Sequence, residues 1–300
     1  MAAAVTTAVA ATFLVGCGKS SPSASGSSGR IKVVAAENFW GSIAKQLGGD
    51  RADVTSIITN PDTDPHDYDA SAGDARTVAS AKYVIVNGIG YDGWASKLLG
   101  ANPVKGRVVL TVGDLVGVKA GGNPHRWYSP SDVHQVIEQI VTDYKRLDPA
   151  DATYFDARQS PFETATLARY DGLIATIQQR YAGTPVGASE SIFTPMAAAL
   201  KLDLLTPESF LDAIAEGSDP TAQDKATCDN QIKTHAIKVY VFNSQNSTPD
   251  VQAQVNEAKA AGIPVTSVTE TLAPAGATFQ DWQADQLQRL ENALASATGR

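Results

Sequence analysis

Two histidines in this chain sit in stiff polar turns. His66 lies in Asn60-Pro61-Asp62-Thr63-Asp64-Pro65-His66-Asp67-Tyr68-Asp69, and His125 lies in Gly121-Gly122-Asn123-Pro124-His125-Arg126-Trp127-Tyr128. Each follows a proline, which fixes φ and limits the entropy lost when the imidazole is held on a ligand. Neutral imidazole is a good ligand for first-row divalent metals. The chain has four histidines and two cysteines. A Cys-rich zinc module and a disulfide scaffold are therefore excluded, and a metal site must combine histidine with carboxylates. Asp62, Asp64, Asp67 and Asp69 do not form a calcium loop of the EF-hand type, which needs a central glycine and a bidentate glutamate. They read as turn formers. His134, on a predicted helix, reads as a packing or surface residue, and His235, ahead of a predicted strand, as an exposed one.

The elements that must position these residues alternate. Short apolar runs at 31–36, 53–59, 82–87, 106–111, 185–189, 202–205, 236–242 and 264–269 predict strands, most of them buried. Helical patterns cover 38–48, 71–80, 91–99, 190–201, 221–234, 248–261 and 277–298. Ser129 or Ser131 caps a further helix that runs to about Leu147, with Pro130 in its first turn. The alternation predicts an α/β chain with parallel sheets and right-handed crossovers. Residues 150–182 contain one breaker, Pro161, and their apolar spacing predicts a single long helix. The expected organisation is a lobe at 31–150, a linking helix at 151–182 and a second lobe at 183–300. Ligands of open α/β sheets sit beyond the carboxyl ends of the strands, where both Pro-His turns fall.

Composition narrows the function class. The 300 residues carry a formal net charge of −8, which disfavours a nucleic-acid partner because phosphate binding needs a basic surface. No apolar run is long enough for a transmembrane helix. Residues 1–16 are uncharged and end in Leu14-Val15-Gly16-Cys17. They read as a signal peptide with a lipobox, so residues 1–17 are assigned to the signal, with Cys17 the mature, lipidated N-terminus. The basic residues that usually precede such a segment are missing, which fits a start codon placed too late. Residues 18–30, rich in Ser and Gly, read as a flexible tether to a membrane surface. Cys228 reads as a buried small hydrophobe.

These pieces resemble the solute-binding lipoproteins of zinc and manganese ABC importers, the cluster A-I or TroA/ZnuA-like family. The resemblance rests on the lipobox, Glu37-Asn38-Phe39-Trp40, Asp64-Pro65-His66-Asp67-Tyr68, Asn123-Pro124-His125-Arg126-Trp127 and Val268-Thr269-Glu270-Thr271-Leu272. It implies two βα lobes joined by one rigid backbone helix, with the metal in the cleft between them, held by two residues from each lobe. It implies His66 and His125 as the first two ligands. The last ligand in the family is a carboxylate, usually Asp, and Glu270 stands at that place, one methylene longer. The third is His or Glu soon after a strand. Glu208 in Thr206-Pro207-Glu208-Ser209 is the expected choice, with Glu190 in Ala188-Ser189-Glu190-Ser191 orienting a ligand by hydrogen bonding. Trp127 and Tyr128 are expected to wall the cleft, and Asn243-Ser244-Gln245-Asn246 to line it.

A set of two imidazoles and two carboxylates suits Zn(II) or Mn(II) and disfavours Cu(I), which prefers sulfur. Zinc binds such donors more tightly than manganese. Residues 67–80 lack the His/Asp-rich loop that zinc-specific relatives often carry. The expectation is a monomeric capture protein, anchored outside the cytoplasmic membrane, that passes its ion to an ABC permease. The alternatives are a binding protein for chelated iron or another solute, a metal-dependent hydrolase, and a surface adhesin. The chain holds no His-Glu-x-x-His, Gly-x-Ser-x-Gly or P-loop motif to support an enzyme.

Overall fold

The computed structural model describes residues 1–4, 29–61, 63 and 68–300. Cys17 with its lipobox, nearly all of the predicted tether, and His66 lie outside the described residues. Strands β1 (Ile31–Glu37), β2 (Ala52–Ile58), β3 (Tyr83–Val86) and β4 (Val108–Thr111) form a parallel sheet in the order β2-β1-β3-β4. Strands β5 (Pro185–Ala188), β6 (Asp203–Leu204), β7 (Val239–Asn243) and β8 (Val265–Val268) form a second parallel sheet in the order β6-β5-β7-β8. Each of the eight predicted strands is present. In both sheets the strand order reverses beside the first strand, so a crevice opens there beyond the carboxyl ends.

The first half carries α1 (Asn38–Gly48), α2 (Ala72–Ser80), α3 (Gly93–Ala101), α4 (Val112–Val116) and α5 (Pro130–Leu147). Helix α1 follows β1 without a loop and buries Phe39, Trp40, Ile43, Ala44 and Leu47 completely. Full burial of a Phe, Ile or Leu side chain stabilises the core by about 1.5–3 kcal/mol. The close seating of α1 on the sheet needs Gly41, where an added Cβ would stand 2.0 Å from Ser56 Oγ on β2. Helix α5 starts with Pro130 at its first position, behind Ser129, as proline's fixed φ favours. It buries Val133, Val136, Ile137, Ile140, Val141 and Tyr144, an apolar stripe at helical spacing. The turn that carries His125 is thereby anchored at its downstream end.

The predicted single helix over 151–182 is divided. Helix α6 (Ala152–Pro161) gives way to a π-helical turn at Phe162–Thr166, and α7 (Ala168–Tyr181) follows. Pro161 has no N–H to donate and crowds the carbonyl four residues before it, which loosens the helical ladder. The turn closes with Leu167 N–H on Phe162 O at 3.0 Å, the i→i+5 pattern of a π-turn. Helix α6 packs on the first half through the stacked rings of Tyr144 and Phe155, 5.0 Å apart.

The second half adds α8 (Thr194–Ala199), α9 (Glu208–Ala215), α10 (Ala222–Lys233), α11 (Pro249–Ala260) and α12 (Phe279–Thr298). The short α4 and α9 were not legible as separate helices. Helix α12 is a second tie between the halves. Its Phe279 N–H donates to Ser42 Oγ on α1 at 3.0 Å, and its Gln280 pairs with Gln46 of the same helix. Its Arg169–Asp285 and Arg180–Glu291 ion pairs reach α7, and the Phe279 ring meets Tyr170 edge-on. The ion pairs lie at the surface and contribute little; the apolar contacts carry the packing.

Candidate metal site

His125 comes from the segment between β4 and α5 and is fully buried. Three neighbours fix its pose. Asn123 Oδ1 accepts the His125 backbone N–H at 3.0 Å and stands 2.9 Å from Nδ1. Because that oxygen is already an acceptor, Nδ1 must be the protonated nitrogen of the neutral ring. Nε2 is then the lone-pair nitrogen, the form a metal takes. The Asn123 Nδ2 donates to Ser191 O at 2.7 Å, which also fixes the orientation of the amide. The turn itself is held by Asn87, whose Nδ2 donates to Pro124 O at 2.9 Å. Trp127 stacks on Phe39 at 4.0 Å and meets the imidazole edge-on at 5.2 Å.

The second half supplies two carboxylates. Glu190 stands two residues past β5 and Glu270 two residues past β8. His125 Nε2 lies 3.5 Å from Glu270 Oε1 and 3.9 Å from Glu190 Oε1. Among the described residues, His125, Glu190 and Glu270 are the group of His, Cys, Asp and Glu whose ligand atoms gather within 4.8 Å of one another. Asn243, at the end of β7, sits across both carboxylates. Its Nδ2 is 3.0 Å from Glu190 Oε2, 3.3 Å from Glu190 Oε1 and 3.0 Å from Glu270 Oε1. From the other half, the Tyr91 hydroxyl donates to Glu270 Oε2 at 2.9 Å.

Burial shapes the protonation of this cluster. Desolvation pushes the Glu190 carboxyl well above the usual range, the Glu270 charge adds to that, and His125 opposes it. Burial thus favours the neutral carboxyl, and a positive partner favours the charged one. A divalent ion between Nε2 and the two carboxylates would supply that charge, and neutral imidazole with carboxylate oxygen matches the donors zinc and manganese accept.

The structure places the other predicted residues as follows. Glu208, the expected third ligand, lies outside the gathered group; Glu190, expected to orient a ligand, lies inside it. The reason is topological. Glu208 follows β6, a two-residue edge strand, and begins α9 at an exposed position. Glu190 follows β5, which leads on to β7 and β8, the strands before Asn243 and Glu270, whereas β6 lies on the far side of β5. Glu208 and Asp212 fall on one face of α9 and, with Glu216 just past its end, line a cleft of about 320 Å³ beside Tyr91 and Asn123. Trp127 and Tyr128 are buried behind His125; the Tyr128 hydroxyl donates to Thr269 O at 2.9 Å. His134 is half-buried beside Asp171, 3.6 Å away, and His235 is exposed. Cys228 is a buried free thiol whose pKa burial pushes up to about 12.

Asn123 and Tyr91 were not legible as site residues. An Asn two residues before a buried His is a signal for a side chain that fixes the ring, but the burial of His125 is not written in the local sequence. Tyr91 gives no local signal, because it reaches Glu270 across 179 positions of sequence.

The family model described as ZnuA, zinc-uptake complex component A, periplasmic, matches residues 33–293. The manganese-binding lipoprotein MntA of Halalkalibacterium halodurans is 26% identical over 157 residues, covering 51% of this chain and 52% of that protein. The metal ABC transporter substrate-binding lipoprotein FimA of Streptococcus parasanguinis is 28% identical over 171 residues, covering 53% of this chain and 54% of that protein. The chain thus spans about half the length of the curated relatives it matches. A manganese-bound variant of a periplasmic metal binding protein from Candidatus Liberibacter asiaticus shares the fold, with a TM-score of 0.75 at 21% identity, covering 88% of this chain and 100% of that one.

Proposed function

The chain belongs to the ZnuA family of periplasmic zinc-uptake components, and from that premise we propose that it captures a divalent transition metal outside the cytoplasmic membrane and delivers it to an ABC importer. The ligands in this reading are His125, Glu190 and Glu270, with His66 as the fourth. The single observation that carries it is the convergence of one oriented imidazole and two carboxylates, from both halves of the chain, on a buried point. Two carboxylates offset the charge of a divalent ion, and a set of four protein ligands suits capture rather than catalysis.

Zinc is favoured slightly over manganese, because N/O donors bind zinc more tightly in the Irving–Williams order. The family description names zinc and the Halalkalibacterium halodurans relative is named for manganese, so the cargo is assigned on donor chemistry. Cys17 would carry the lipid anchor, and the partner would be a membrane permease that receives the ion from a monomer.

Calorimetric and tryptophan-fluorescence titration of the chain from Ser20, stripped with chelator, tests this. One tight equivalent of Zn(II), lost in His125→Ala and Glu190→Ala, is expected. No tight binding of Zn(II) or Mn(II) overturns the reading.

A further inference from the structure

We propose that the free edge of β8 docks an extended, acidic segment of a partner protein, which joins the second sheet as an additional strand.

In the order β6-β5-β7-β8, one side of β8 pairs with β7 and the other has no strand beside it. The Tyr240 N–H donates to Pro264 O and the Ser244 N–H to Val268 O, both at 3.0 Å. Pro264, Thr266 and Val268 therefore turn their backbone groups toward β7. Backbone groups alternate in direction along a strand, so Val265, Ser267 and Thr269 turn theirs to the outer edge. At Thr269, just past the strand, side chains stand in for the missing neighbour. Gln286 Oε1 accepts its N–H and the Tyr128 hydroxyl donates to its C=O, both at 2.9 Å. Among the described residues, nothing does the same at Val265 or Ser267. The N–H and C=O groups of both residues stay open there, beside a groove of about 520 Å³.

The walls of the groove select the occupant. Val268 belongs to the apolar cluster of α12 and Val265 packs on that of α11, so the two helices cover opposite faces of β8. Arg289 on α12 and Lys259 in the last turn of α11 thus reach the groove from opposite sides, and both are exposed. Among the described residues neither is ion-paired, and no Asp or Glu lines the groove. In a chain of net charge −8 that is a local exception, and it fits an incoming strand with acidic residues on both of its faces. Natural edges that avoid pairing carry lysine or proline on the strand itself; Val265, Thr266, Ser267 and Val268 supply neither. Phe242 of β7, half-buried, adds an apolar contact to the groove. Strand addition draws affinity from main-chain bonds and specificity from such side-chain contacts.

The test uses the isotope-labelled full chain and a capped hexapeptide with two central glutamates between valine and threonine residues. Amide NMR spectra and hydrogen exchange are followed as the peptide is added. Saturable shifts and slowed exchange at the Val265 and Ser267 amides are expected. A peptide of the same sequence with an N-methylated backbone keeps the charges but cannot pair, and should leave the exchange of both amides unchanged. Reversing the cations in Lys259→Glu with Arg289→Glu should weaken peptide binding at least ~10-fold, because like charges across an interface oppose docking. Thermal unfolding checks that this variant is folded; if it is not, the N-methylated peptide still decides the matter on the unaltered chain. No shift at Val265 and Ser267 overturns the proposal. So does equal binding of the two peptides, which would mean that Lys259 and Arg289 hold an anion without strand pairing. Slowed exchange with phosphatidylglycerol vesicles but not with the peptide would assign the edge to a lipid surface and overturn it as well.

Discussion

At the ends of β1 and β3 the chain carries Glu37 and Asn87; at the ends of β5 and β7 it carries Glu190 and Asn243. The strand registers, Val33 beside Tyr83 and Val186 beside Val239, place both Glu–Asn pairs at equivalent points when carried forward along the strands. The first pair is absorbed by its own half. Burial and the neighbouring Asp92 charge push the Glu37 carboxyl well above its usual range. Asp92 accepts the backbone N–H groups of Asn87 and Gly88 at 2.6 and 2.8 Å. Asn87 Nδ2 holds the His125 turn through Pro124 O, and its Oδ1 accepts the Trp40 indole N–H at 3.1 Å. In the second half the asparagine faces outward to two carboxylates, because β8 delivers Glu270 beside Glu190. One arrangement builds a turn and the other gathers two carboxylates beside His125. The difference is what the second carboxylate is bonded to, not the position of the first.

Exchanging each glutamate for its neutral isostere breaks this comparison most directly. Glu190→Gln should lower zinc affinity by more than ~100-fold, beyond what outer partners of a ligand carry. Glu37→Gln should leave affinity nearly unchanged; a comparable loss there would dissolve the distinction between the halves. Asn123→Ala comes next. It frees the His125 ring to change tautomer and should cost ~10–100-fold in titration, with Trp127 fluorescence reporting the altered packing.

The third prediction concerns pH. A carboxyl whose folded-state pKa lies above its unfolded value makes the folded chain bind more protons, so stability falls as pH rises from the ordinary carboxylate value through the raised one. Glu37 and Glu190 both act in this direction. Thermal unfolding of the metal-free chain should therefore show a shallower decline with pH in Glu37→Gln than in wild type. Identical slopes would show that Glu37 is not held protonated. The smallest effect is expected from Glu208→Ala. An exposed charge on α9 acts on the ion only through screened distance, so zinc affinity in titration should change by less than ~threefold. A loss as large as that of Glu190→Gln would restore Glu208 as a ligand.

Much of this was legible in the residues. The eight strands were, because parallel buried strands write themselves as short apolar runs between turn residues. His125 was marked by its Pro-His turn and Glu270 by the motif after its strand. Glu208 and Glu190 both follow strands, and only the sheet order puts β6 on the far side of β5 from the strands before Asn243 and Glu270. Strand order arises from long-range pairing and leaves no local trace. The division of the linking helix at Pro161 was signalled by the proline itself. The hydrogen bonds of Tyr91 and Asn243 to Glu270 join residues far apart in the chain.

A divalent ion is proposed to sit between His125, Glu190 and Glu270. Diffraction from zinc-loaded crystals, recorded on both sides of the zinc absorption edge, locates the ion without reference to any variant. One anomalous peak is expected, within bonding distance of His125 Nε2 and of an oxygen from each of Glu190 and Glu270. A peak beside Glu208 and Asp212 on α9, or none between the two halves, would contradict it.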